Sequence, residues 1–243
     1  MHSELLALSL AVAFALVAAR GSQSFRRLKE SPPEKKVRIY RSWLAISFLC
    51  FGVAGSCLIY NFERTNISIY LPYQIAFRVV HENTSIDLSQ LVPMLFGFCI
   101  GLIAIVFVAR TRRGRKFYNT EAVSALRPDT QSEKTYLVLL CVNAAISEEI
   151  MFRGALPVLI YTISENAMMA ILVAALAFGC MHYYQGARGI LSTFCLAILF
   201  SILLGVGFNL YVVMLLHFFI NMMALFVLPK ISRLGRPKET GMV

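Results

Sequence analysis

This chain of 243 residues has little charge. Only 15% of its residues are Asp, Glu, Lys or Arg and 58% are hydrophobic, where soluble domains carry roughly a quarter charged residues. That balance excludes a soluble globular protein, and no stretch reads as an appended soluble domain. Cysteine is missing from every loop. All six (Cys50, Cys57, Cys99, Cys141, Cys180, Cys195) lie in apolar runs, at spacings that match no zinc or redox motif, so they read as buried, hydrophobe-like thiols. There is no HExxH, which excludes an ordinary zincin. There is also no internal repeat, a pattern that many secondary transporters show.

What the chain has instead is long apolar runs. Seven approach the length of about 20 residues that a bilayer requires: Leu5–Ala19, Ser42–Tyr60, Leu91–Ala109, Tyr136–Ile163, Ala167–Tyr184, Ile190–Phe208 and Leu210–Leu228. The expected fold is therefore all-α, a polytopic membrane helical bundle of about seven transmembrane helices. The first run follows the leader "MHSE", which has no Lys or Arg, and precedes the basic stretch "RGSQSFRRLKE". A cleaved signal peptide has the opposite flanks, so a retained helix is expected.

The net charge of +10 is a matter of topology. Of 23 Lys and Arg, eight lie between Arg20 and Arg41, seven between Arg110 and Lys134, one is Arg188, and Lys230, Arg233, Arg236 and Lys238 follow the last run. With the N-terminus outside and the C-terminus cytoplasmic, all of these fall on one side, as the positive-inside rule asks. Nucleic acid is not an expected partner; the lipid bilayer is. The chain divides into an N-terminal three-helix membrane region (1–110), a cytoplasmic loop (111–134), a four-helix membrane core (135–228) and a basic cytoplasmic tail (229–243). Between the second and third runs, "ISIYLPYQIAFRVV" reads as a stretch lying at the membrane interface.

Few ionisable groups fall within the runs, and they cluster. Glu148, Glu149 and Arg153 stand in "SEEIMFRG", His182 in "FGCMHYY", and His217 with Asn221 in "LLHFFINMM". Such groups are costly at membrane depth and persist where they pair or react. Glu149 and Arg153 are four apart with the acid first, the favourable order for an ion pair along a helix. Glu148 points about 100° away and has no partner on its own helix. His217 and Asn221 share one face of the last helix, where each could also serve to glue helices together.

A carboxylate beside an imidazole can hold a water and take its proton, and an imidazole and an amide can donate to a developing oxyanion. The same residues, as Glu148, His182 and His217, are a possible zinc ligand set. A proton-coupled transporter, and a non-catalytic peptide binder or immunity protein, are the other readings of intramembrane Glu and His. Counting 1.5 Å per residue from the run ends places Glu148 and His217 roughly 20 Å from the cytoplasmic side but His182 only about 5 Å. Tilt, an open cavity, or a break near Pro157 would reconcile these depths.

Taken together, "EEIMFR" (Glu148, Glu149, Arg153), "FGCMH" (Phe178, His182) and "HFFIN" (His217, Asn221) resemble the three ordered motifs of the CPBP family, the CAAX proteases and bacteriocin-processing enzymes, also called Abi. The resemblance covers residues 135 to 228. It implies an intramembrane endopeptidase with Glu148 as the water-activating base, His182 beside it, and His217 and Asn221 stabilising the oxyanion. Glu149 and Arg153 would support the site and Phe178 would pack near it. It implies a membrane-embedded peptide or protein as substrate, such as an anchored C-terminal tail. A glutamic mechanism without cofactor is expected, with zinc possible, in a multi-pass protein of a prokaryotic cytoplasmic membrane.

Overall fold

A computed structural model describes residues 2–84 and 125–230, with Gly97 and Thr111 between them. Every regular element among these residues is helical. The chain forms two compact units, Met1–Ile86 with Pro128–Phe218, and Asp87–Arg127 with Phe219–Val243. Apart from Gly97, the expected span Leu91–Ala109 lies outside the described residues.

The first unit opens with α1 (His2–Lys29), a helix that continues ten residues past the end of the apolar run that announces it. Arg20, Arg26 and Arg27 are good helix formers, so the helix continues where the hydropathy stops. Next come α2 (Pro33–Ser47), with proline in its first turn, a π-helical stretch (Phe48–Val53) and α3 (Ala54–Arg64). These three form one long apolar helix, Pro33–Arg64. The aromatic stretch expected at the interface folds as α4 (Leu71–Thr84). It packs against other helices of the unit and buries Tyr73 and Ala76.

The expected long fourth span is also one helix, Gln131–Ser164, made of α5 (Gln131–Glu149), a second π-helical stretch (Ile150–Ala155) and α6 (Leu156–Ser164). Thr130 caps its start by accepting the Glu133 N–H. Two further helices, α7 (Ala167–Met181) and α8 (Gly186–Gly205), are joined by a 3₁₀ turn, Tyr183–Gln185. The last, α9 (Leu210–Met222), begins in the first unit and passes into the second. Five helices among the described residues are long and apolar enough to cross a membrane, and α7 is a shorter apolar one.

Packing gathers around an aromatic column. Phe14 of α1, Phe51, Phe152 and Phe178 contact one another in sequence, with ring centroids 5.3 to 5.8 Å apart. All four are buried, and edge and tilted contacts of this kind add to the burial of so much apolar area. The helix Pro33–Arg64 lies close against the second π stretch, because Gly55 leaves room: a Cβ there would come within 3.3 Å of the Met151 backbone. Outward faces such as Leu172, Val173 and Leu176 of α7 remain exposed, as lipid contact requires.

Candidate active site

Glu148 and Glu149 end α5 where the helix widens, so both carboxylates stand at the start of the π stretch that carries Arg153. Glu149 is wholly buried and Arg153 nearly so. Arg153 Nε lies 3.0 Å from Glu149 Oε2. Its N–H is not lined up on that oxygen, so the contact is an ion pair rather than a hydrogen bond. The guanidinium carbon lies 4.1 Å from the centre of the Phe178 ring and 5.4 Å from that of Phe200. Two aromatic faces thus receive a cation whose Nη atoms meet no hydrogen-bond acceptor. The pairing expected from the spacing of Glu149 and Arg153 is present.

Glu149 does more than neutralise Arg153. Its other oxygen, Oε1, is 2.6 Å from His217 Nδ1. In the neutral tautomer with its proton on Nδ1, His217 donates to this carboxylate and Nε2 carries the lone pair. His217 Nε2 in turn faces Glu148 Oε2 at 3.9 Å, too far for a direct hydrogen bond. That Glu148 oxygen is buried and meets no hydrogen-bond partner. The unpaired glutamate and the oriented imidazole therefore confront each other.

His182 closes α7, and its Nδ1 lies 3.0 Å from the Phe178 carbonyl oxygen. A carbonyl only accepts, so Nδ1–H donates, which leaves Nε2 as the nitrogen that can carry a lone pair. The ring packs 4.8 Å from Phe178 and 6.1 Å from Tyr184. Glu148, His217 and Arg153 are charged or ionisable neighbours that act on it. Phe178 lies 6.1 Å from the His217 ring as well, so one aromatic side chain touches His182, His217 and Arg153.

The helix α7 ends at Met181 rather than running on to Tyr184. At 1.5 Å per residue α7 is only about 22 Å long, shorter than a hydrocarbon core of about 30 Å. Its C-terminal histidine need not reach the membrane face. The helix Gln131–Ser164 runs on through Pro157, so no break is needed there.

Among the described residues, no three His, Cys, Asp or Glu side chains come together closely enough to hold a metal ion. Glu148, His182 and His217 thus form no ready-made ligand cage. Asn221 lies one turn beyond His217 on α9, in the second unit.

Three neighbours escaped the sequence reading. Tyr73 Oη donates to the Arg153 carbonyl oxygen at 2.9 Å. Phe200 flanks Arg153 and lies 6.1 Å from the His217 ring. Ser147 donates to Asn143 Oδ1 at 3.1 Å, and the Asn143 amide donates to Ser47 of α2. That chain of bonds ties α5 to α2 just before the glutamates. Phe200 sits in an apolar run and carries no signal of its own; for Tyr73 the sequence carries one, in Pro157.

No curated protein and no solved structure matches the chain. Residues 130–223 match the family described as Rce1-like, type II CAAX prenyl endopeptidase. That region, 94 of the 243 residues, carries Glu148, Glu149, Arg153, Phe178, His182, His217 and Asn221, the residues of the three motifs.

Proposed function

We propose that the protein is an intramembrane endopeptidase. It hydrolyses a peptide bond in a membrane-anchored peptide or protein C-terminal tail, with water activated by glutamate and histidine and without a metal. The observation that carries this reading is the opposition of an unpartnered, buried Glu148 Oε2 and the His217 Nε2 lone pair across 3.9 Å. Two acceptors that share the hydrogens of one water stand about 4 Å apart. A water so held has its own lone pairs turned towards a substrate carbonyl. Glu148 takes the proton released on attack, while His217 orients the water.

Glu149 and Arg153 serve this step indirectly. Arg153 pairs with Glu149, Glu149 accepts the His217 Nδ1–H, and in that tautomer Nε2 is the acceptor. His182 offers a second Nε2, through which the proton taken up by Glu148 can pass to the leaving amine. The motif resemblance adds Asn221 as an amide donor to the oxyanion. The charge distribution supports a cytoplasmic C-terminus, and the multi-pass helices support an integral membrane protein, which we place in a prokaryotic cytoplasmic membrane.

The test is cleavage of a library of membrane-anchored peptides, prenylated and unprenylated tails included, by purified protein in detergent. Glu148→Gln should lower the rate by about 10²–10⁴-fold with the fold intact, and a strong chelator should leave the wild type unchanged. Cleavage that persists in Glu148→Gln removes Glu148 as the base. Loss in chelator with recovery on adding zinc replaces the metal-free mechanism.

A further inference from the structure

Pro157 stands four residues after Arg153 in a continuous helix. It has no N–H to give the Arg153 carbonyl, the acceptor that an α-helix would assign it, and its ring crowds that same carbonyl. The helix is wide here: Ile150–Ala155 is π-helical, and the next N–H, that of Leu156, bonds five residues back to Met151. Such local widening is a recognised response to a disturbed hydrogen-bond ladder, and it recurs at functional sites. A carbonyl deprived of its usual donor inside an apolar bundle needs another.

The donor comes from a distant part of the chain. Tyr73 of α4, only 1% exposed, gives its hydroxyl hydrogen to the Arg153 carbonyl at 2.9 Å. The side chain lies outside the matched region 130–223, on a helix packed against α7 and α8, and Ser201 of α8 is beside the hydroxyl. The same residue whose carbonyl is held in this way sends its side chain to Glu149, and Glu149 sets His217.

We propose that Tyr73 is a positioning residue for the Glu149–His217 pair. Resting on the protease reading above, its role is to supply the hydrogen bond that Pro157 withholds. That bond fixes the π stretch from which Arg153 reaches Glu149, and so aims His217 Nε2 at Glu148. A displacement of about 1 Å at such a centre is enough to cost about a hundredfold in rate, so one hydrogen bond at the root of the chain of contacts matters. The ring of Tyr73 contributes packing; the positioning belongs to its hydroxyl.

The test is a double-mutant cycle in the full-length protein with Tyr73→Phe, Pro157→Ala and both together. Pro157→Ala returns the missing N–H, so it offers the Arg153 carbonyl a substitute donor in the Tyr73→Phe background. One readout needs no substrate: the His217 Nδ1–H signal in ¹⁵N-histidine spectra, assigned by its loss in His217→Gln. It should shift in Tyr73→Phe and return towards the wild-type position in the double variant. The second readout is cleavage, where kcat of Tyr73→Phe should fall about tenfold with KM within about twofold and recover in the double variant. A His217 signal unmoved by Tyr73→Phe overturns the proposal, and so does a shift or rate loss that Pro157→Ala leaves in place. If the wild type cleaves nothing, the protease reading fails while the His217 signal still decides the role of Tyr73. If Tyr73→Phe does not fold, recovery of folded protein by Pro157→Ala supports the hydroxyl as the substitute donor, and no recovery overturns it.

Discussion

Helix α5 carries a buried carboxylate at each end, and the two are held in different ways. Glu133, near the start, accepts from the Thr130 hydroxyl at 3.2 Å and from the Asp129 N–H at 3.4 Å, with Lys36 at 3.7 Å. Its own N–H returns to Thr130 at 3.2 Å, a reciprocal cap of the kind that starts helices. The positive end of the helix dipole favours a carboxylate there. Glu149, at the other end, has no such support. It depends on Arg153 for charge and on His217 for a hydrogen bond.

Both carboxylates are buried and both have a cation, so neither property marks a site. The distinguishing feature is the company. Glu133 has its oxygens accounted for by the helix it begins, and its neighbours are the cap and Lys36. Glu149 hands its hydrogen bond to an imidazole whose other nitrogen faces an unpartnered Glu148.

Substitutions can sharpen or undo that contrast. The largest effect on stability is expected from Arg153→Leu, which strands the Glu149 carboxylate in the core. Breaking a buried pair by removing one partner costs about 3–5 kcal/mol, read as a lowered midpoint of thermal unfolding in detergent. The remaining partner, His217, would then have to carry the positive charge. Its Nε2 would become a donor, so cleavage should be lost in whatever protein stays folded. Activity that survives Arg153→Leu would break the link from Arg153 through Glu149 to His217.

Glu133→Gln should cost less, about 1–2 kcal/mol, because an amide oxygen can still accept within the cap. Its cleavage rate should match the wild type. A loss of rate there with the fold intact would erase the contrast between the two ends of α5. Thr130→Ala is the smallest expected change, about 1 kcal/mol for a lost N-cap, again measured by thermal unfolding and again without effect on cleavage.

Much of this was legible in the residues. The apolar runs that fall within the described residues are helices, because a stretch of about 20 apolar residues has few other solutions in lipid. The spacing of Glu149 and Arg153 dictated their pairing, since residues four apart meet on one helix face. The end of α1 was not legible, because arginine is a good helix former and hydropathy does not see it. Nor was the length of α7, whose run continued through His182 and Tyr184 while the helix stopped at Met181. One clue to Tyr73 did exist: a proline four residues after Arg153 leaves a carbonyl in need of a donor. The spacing posed that need without saying who met it.

Local spacing, then, settled what a single helix can settle: membrane-compatible helices, the Glu149–Arg153 pair, and a Glu148 left without a partner on its own helix. It could not say that Glu149 also holds His217, 68 residues away, nor that Tyr73 reaches Arg153 across 80 residues. Those contacts join different helices, and their partners are chosen by how the helices pack. A sequence pattern of period 3.6 describes the face of one helix and carries no record of which other face it will meet.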